Sequence, residues 1–176
     1  MRQSIEELNS WYATDDPWGY NRHPDDAKRR TILLSAIPSF DYNKTLDIGC
    51  GNAFITRHLP GRNVTGMDIS SAAIEQSKKV KDNRLNFVVG SIFDVNNLFI
   101  TDKFDLIVIT GVLYEQYIGN SIRLLYILID NILNKGGVLA TVHIDEWYSS
   151  RFPYLMIDQQ VYEYRDYLHK LEIYVK

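Results

Sequence analysis

Short apolar runs rich in branched residues recur along the chain at 45–48, 63–68, 85–89, 104–110 and 138–144, each bounded by glycine, asparagine or charged positions. Runs of that length and composition predict buried strands. Between them the apolar spacing changes to the helical one. Residues 70–79 open on Ser70, a capping type, and carry Ala73, Ile74 and Ser77 on one side. Residues 121–133 place Ile122, Leu125, Leu128, Ile129, Ile132 and Leu133 on one face and stop at Asn134-Lys135-Gly136-Gly137. Strand then helix, repeated with glycine-marked exits, predicts right-handed crossovers and an α/β fold: a Rossmann-like, doubly wound, mainly parallel sheet with helices on both faces. The last stretch, QVYEYRDYLHKLEIYVK, reads as two strands joined by a tight turn near Arg165-Asp166. An antiparallel hairpin would then complete a seven-stranded sheet.

Ahead of the strands, Ser4-Ile5-Glu6-Glu7 has capping-box spacing and predicts a short helix to about Tyr12. Pro24 followed by Asp25 and Asp26, with Pro38 beyond, predicts a second helix over 24–36.

Composition narrows the classes of function. A chain of 176 residues, 45% hydrophobic and 23% charged, suits one globular domain, 1–176. The net charge of −3 offers no general attraction for a polyanion, so no nucleic-acid partner is expected. Lys28-Arg29-Arg30 follows Asp25 and Asp26 in the same helix and reads as a solvated, partly self-paired face. Cys50 is the only cysteine, which excludes an intramolecular disulfide and a thiolate-rich metal site; no metal is expected. The first stretch, broken by Arg2, Glu6 and Glu7, lacks a signal-peptide pattern, and the longest apolar run, 106–114, is too short to span a bilayer. A cytoplasmic protein without membrane partners is the expectation, with a homodimer left open.

The chemistry concentrates at Asp47-Ile48-Gly49-Cys50-Gly51. An open parallel sheet binds ligands at the carboxyl ends of its strands, and the first strand-to-helix turn contributes. Gly49 and Gly51 allow left-handed backbone and close approach to a ligand, with Cys50 a small residue between them. A dinucleotide fingerprint needs glycine at position 54, where this chain has Phe54. Asp47, just before the turn, would repel a phosphate but attract an ammonium, directly or through water. Asp68 ends the second strand about twenty residues on, the distance at which such folds offer an acid to ribose hydroxyls. S-adenosylmethionine has both a ribose and a positive end and is the candidate ligand.

Five segments carry a resemblance to the class I S-adenosylmethionine-dependent methyltransferases: Leu46 to Gly51, Val64 to Asp68, Asn86 to Gly90, Phe104 to Val108, and Leu133 to Leu139. A narrower resemblance, to the subfamily named for nodulation protein S, rests on DDPWGY (15–20), the basic helix after it, GVLYEQY (111–117), TVHI (141–144) and YEYRDYLHKLEIY (162–174). That subfamily acts on an amine of a sugar oligosaccharide. The resemblance implies that residues 1–40 form a helical lid over a cofactor-binding core, 41–176, with Trp18 and Tyr20 as lid contacts. The cofactor contacts then expected are Trp18, Tyr20, Asp47, Gly49, Cys50, Gly51, Asp68, Ile69, Gly90, Ser91, Ile92, Thr110, Gly111 and Val112. One departure concerns the adenine: Gly90-Ser91-Ile92 has no acid where many relatives hold the adenine amino group, leaving Ser91, or Asp94 from further along, for that contact.

Methyl transfer is mostly a matter of aligning acceptor, methyl and sulfur, with a base needed for a protonated amine or a hydroxyl. His143, at the carboxyl end of its strand, is the candidate base, and Tyr114 and Glu115 are candidate substrate contacts. His23, His58 and His169 have no comparable placement. Trp11 and Trp147, with Tyr12, are further candidates to enclose the site. The function expected is methyl transfer to an amine or hydroxyl of a small polar metabolite, with a sugar-like acceptor favoured. The alternatives are a cofactor-binding accessory module without catalysis and an NAD(P)-dependent oxidoreductase, the latter disfavoured by Phe54.

Overall fold

A computed structural model describes residues 4–14, 16–20 and 22–176; Arg2 and Asp15, on which readings above also rest, lie outside them. Seven strands form one sheet in the order β3-β2-β1-β4-β5-β7-β6. They are β1 (Lys44–Ile48), β2 (Asn63–Asp68), β3 (Leu85–Val89), β4 (Phe104–Thr110), β5 (Leu133–Ile144), β6 (Leu155–Tyr164) and β7 (Tyr167–Val175). The first five run parallel, and β7 enters antiparallel between β5 and β6. The doubly wound sheet with a C-terminal hairpin is thus the observed fold. Strand order reverses at β1, whose neighbours are β2 and β4, and this opens a crevice at the carboxyl ends.

The helices are α1 (Ile5–Trp11), α2 (Pro24–Ala36), α3 (Ser71–Ser77), the single turns α4 (Val95–Leu98) and α5 (Glu115–Ile118), and α6 (Ile122–Ile132). On α6 the buried positions Leu125, Leu128, Ile129 and Ile132 recur at three- and four-residue spacing and pack on Ile107, Ile109 and Leu139 of the sheet. Each such side chain contributes about 1.5–3 kcal/mol by leaving water. The opposite face is covered by α2 through Leu33, and by Phe54, Ile55 and Leu59 from the turn after β1.

Two boundaries differ from the sequence reading. The strand expected from Val138 begins at Leu133, because Leu133 pairs with Phe104 before the chain loops out and resumes at Val138 opposite Leu106. The glycines lie in that loop, where Gly136 N donates to Lys176 O and Lys176 N to Gly137 O, so the turn is held by the C-terminus. The last hairpin begins at Leu155, five residues before the segment read as strand, with a bulge between Met156 and Asp158. Alternation is lost at that bulge, which hides the strand from a period-two search.

The face of α2 is the larger correction. Its buried stripe is Asp26, Arg29 and Leu33, so two of the charges read as solvated are turned inward. Asp26 is completely buried and pairs not within its helix but with the hairpin turn, accepting from Arg165 Nη2 at 2.7 Å and Tyr164 Oη at 2.5 Å. No helix among the described residues is long and apolar enough to cross a membrane.

Candidate active site

The crevice at the switch point widens into a cavity of about 670 Å³, within the size range of cofactor and small-molecule sites. Its floor is the turn after β1. Gly49 (φ +82°) and Gly51 (φ +52°) take left-handed backbone, and Gly49 N donates to Met67 O at 2.8 Å, tying the turn to β2. A Cβ on Gly49 would lie 2.3 Å from Val112 Cγ2, and one on Gly51 2.8 Å from the Tyr12 hydroxyl. Both glycines are therefore demanded by conformation and by close contact together.

Asp68 closes β2 with its carboxylate on the cavity wall. Oδ2 accepts from Gly51 N and Oδ1 from Ser70 N, each at 2.9 Å. Burial pushes its pKa up, and these backbone donors work against that shift. The carboxylate thus clamps the glycine turn to the start of α3 and keeps lone pairs free for a ligand.

Asp47 does not line the cavity. It is 1% exposed below the turn, accepts from Thr56 Oγ1 at 2.7 Å, and its Oδ1 has no protein partner. Burial, partly offset by that hydrogen bond, raises its pKa to about 7. An ammonium in the cavity would therefore reach it only through an intermediary such as water. Cys50 and Gly51 also lie behind the wall. The Cys50 thiol is buried and far from ionising, which leaves it as a packing residue.

The roof is the N-terminal segment. Tyr12 carries its hydroxyl over Gly51 and accepts from Trp18 Nε1 at 2.9 Å, and Trp11 packs 4.6 Å from Trp18. Asn9 and Gln76 dock this segment on α3, Asn9 through Ser70 Oγ and Gln76 through the carbonyls of Tyr12 and Thr14. Tyr20 stacks on Phe54 at 5.0 Å. The far wall holds Tyr114, Trp147, Tyr164, Arg165 and His169, while Ile69, Gly90, Ser91, Ile92, Thr110, Gly111 and Val112 also line the cavity. Ser91 and Asp94 form a reciprocal cap, so Asp94 serves backbone and only Ser91 reaches the cavity.

The candidate base is corrected by the pleat. His143 sits at the expected end of β5, but its side chain points to the face of Leu139 and packs 4.6 Å from Tyr148, outside the cavity. Its neighbour Ile144 faces the cavity, and the residue paired with Ile144 is His169 of β7. His169 is 6% exposed, packs 4.6 Å from Tyr164, and has an unpartnered Nδ1. Burial and the nearby Arg29 lower its pKa to about 4, so it is neutral at physiological pH. Glu115 is exposed and off the cavity; Gln116 and Tyr117 line it instead. Tyr114 is on the wall, its hydroxyl accepting from Ile144 N at 3.0 Å.

Arg29 was not foreseen here. It is 8% exposed, lies 5.5 Å from the Tyr20 ring and 5.0 Å from the Tyr164 ring, and its Nε has no partner. A buried guanidinium lining a cavity, with no carboxylate in an ion pair with it among the described residues, is a ready anion contact.

Residues 40–172 match the family model described as a methyltransferase domain. The chain belongs to this family. Among curated relatives it is 29% identical over 129 residues to nodulation protein S of Rhizobium tropici, covering 67% of this chain and 54% of that one. It is 27% identical to a malonyl-[acyl-carrier protein] O-methyltransferase of Legionella pneumophila, over 68% of this chain and 46% of that one. The chain thus spans about half the length of the curated relatives it matches. Among solved structures, the N-methyltransferase NodS of Bradyrhizobium japonicum WM9 with S-adenosyl-L-homocysteine superposes with a TM-score of 0.78 at 22% identity, covering 98% of this chain and 97% of that one. The class I methyltransferase resemblance read from the motifs is borne out, and S-adenosylmethionine is the cofactor it implies.

The residues present fit that cofactor. A carboxylate beside the glycine turn suits the ribose diol, the unpartnered Asp47 Oδ1 suits an ammonium, and the unpartnered Arg29 Nε suits a carboxylate. These are three of the polar groups of S-adenosylmethionine, the adenine being the fourth.

Proposed function

We propose that this chain methylates an amine of a small polar acceptor, with a sugar-like amine the favoured class. The observation that carries the reading is the placement of Asp68 and Asp47 at one glycine turn, with Arg29 and His169 flanking Tyr164 on the wall of the same cavity. When bound, S-adenosylmethionine supplies a sulfonium methyl group as electrophile. Asp68 would hold the ribose hydroxyls, Arg29 the methionine carboxylate, and Asp47 the ammonium through water.

On the acceptor side, His169 offers a neutral imidazole that accepts a hydrogen bond from an amine N–H and turns its lone pair toward the cofactor. Tyr114 fixes the strand end beside it by accepting from Ile144 N. Trp11, Trp18 and Trp147 line the cavity and would shield a bound acceptor from water, so that positioning, worth up to ~7–11 kcal/mol in well-oriented systems, would be kept. The preference for nitrogen over oxygen is supported by the likeness to an N-methyltransferase.

The test is transfer of a labelled methyl group from S-adenosylmethionine to a panel of amino sugars, other small amines and matching alcohols. Labelling confined to alcohols would overturn the amine reading. Binding of S-adenosylhomocysteine with no acceptor ever labelled would favour an accessory module instead.

A further inference from the structure

Beside the cavity, on the other side of Tyr20, lies a second cleft of about 440 Å³. Its walls come from α2, through its cap His23 and through Ala27 and Arg30 at four- and three-residue spacing from it, and from the turn after β1, which brings Phe54 and Arg57. Arg22 stands at its rim. The guanidinium carbons of Arg30 and Arg57 sit 4.8 and 5.8 Å from the centre of the same Phe54 ring. Three guanidiniums therefore share one small opening in a protein whose net charge is −3.

Their partners are missing. Among the described residues no carboxylate lies within 4.0 Å of Arg22, Arg30 or Arg57, whereas Arg62, Arg84 and Arg165 each hold one. His23 is engaged by Asp25 at 3.4 Å, so the acid at the start of α2 is turned to the histidine. Arg57 Nε meets His58 Nε2 at 3.3 Å, which fixes the plane of that guanidinium without neutralising it. Planar forks held over an aromatic ring and left unpaired match a multi-oxygen anion, since arginine binds phosphoryl oxygens in pairs. Tyr20 belongs to both spaces. An acceptor reaching past its ring would have its nucleophile in the cavity and its anion in the cleft.

We propose that this cleft binds the phosphoryl group of the methyl acceptor, so that the substrate is a small phosphorylated amine. The proposal rests on the reading of the adjoining cavity as the methyl-transfer site.

The experiment is calorimetry on the full chain saturated with S-adenosylhomocysteine, at constant ionic strength, with inorganic pyrophosphate as the first probe. Wild type is compared with the double variant Arg30→Gln/Arg57→Gln. Both arginines are part-exposed, and cofactor binding by the variant reports that it is folded. Pyrophosphate is expected to bind wild type and to lose at least ~30-fold in affinity in the variant, the scale of one or two charge-assisted contacts. Cofactor affinity should stay within about twofold.

As the second probe, glucosamine 6-phosphate should bind wild type at least ~10-fold more tightly than glucosamine, and the two should bind the variant alike. No pyrophosphate heat from a protein that binds the cofactor, equal binding by the variant, or binding of a short RNA without binding of pyrophosphate would each overturn the proposal. Failure to bind the cofactor would instead remove the methyl-transfer reading, and pyrophosphate titrated into the unliganded chain would still report on the cleft.

Discussion

Replacing Asp68 with alanine should weaken both the fold and the cofactor site, by amounts that can be separated. In the folded chain the carboxylate accepts from Gly51 N and Ser70 N, each at 2.9 Å, and is 9% exposed. Its loss strands two backbone donors at ~1–3 kcal/mol apiece. The side chain borders the cavity, so water can reach part of the gap, and a total of ~2–3 kcal/mol is expected. For a domain of this size that lowers Tm by about 4–12 °C. The ribose diol adds charge-assisted hydrogen bonds of ~1.5–3 kcal/mol, so Kd for S-adenosylhomocysteine should rise ~10- to 150-fold. A ligand present at ~100 times the wild-type Kd stabilises wild type by about 2.7 kcal/mol. With Kd raised ~30-fold, the same concentration would stabilise the variant by only ~0.9 kcal/mol. Urea unfolding with and without ligand, plus calorimetry, measures both quantities. A destabilised variant that binds the cofactor within twofold of wild type would show that Asp68 only staples the turn, and would refute the placement of the ribose.

Asp47→Asn should stabilise the unliganded chain at pH 8 by ~1–3 kcal/mol, because a carboxyl whose folded pKa is raised to about 7 contributes stability that is lost as pH rises from about 4 through 7. The gain should vanish below pH ~4, and cofactor affinity should fall; unfolding curves across pH and calorimetry test the two halves. His169→Gln should cut kcat/KM by ~10- to 100-fold, while His143→Gln should leave it within about twofold. Both imidazoles have folded pKa values near 4, so the stability they contribute is present above pH ~6.5 and is lost as pH falls toward 4; removing both should flatten the pH-stability curve in that window. Gly49→Ala should cost ~2–4 kcal/mol, from the left-handed backbone and the collision with Val112, and adding Val112→Ala should recover only the collision part. A thermal melt showing Gly49→Ala within ~0.5 kcal/mol of wild type would contradict the close approach.

What could be read from the sequence and what could not divide along a physical line. Strand runs and helix stripes are local patterns, and the acid at the end of β2 follows from a spacing, so the sheet, the glycine turn and Asp68 were legible. The direction of a side chain in a pleat depends on register with the next strand, which a single chain does not display. His143 and His169 occupy facing strands, paired one position out of step, and that one position sends His143 to the packed face and His169 to the cavity. A signal for His169 was present in Leu171 and Ile173, core residues at period two from it.

The inward charges of α2 were hidden for a related reason. An inward pair of charges at 26 and 29, in line with Leu33, has the same helical spacing as a solvated pair, and only the partner decides between them. That partner, the Tyr164-Arg165 turn, is almost 140 residues away in the chain. Burying Asp26 is tolerable because Arg165 and Tyr164 satisfy it. Burying Arg29 with Nε unpaired is not satisfied from within the protein, although the two aromatic rings offset part of the cost. In the proposed reading an ionic ligand supplies the partners of two such buried atoms, Arg29 Nε and Asp47 Oδ1. On that reading the sequence departs from ordinary core composition at these residues because their partners would arrive with the cofactor.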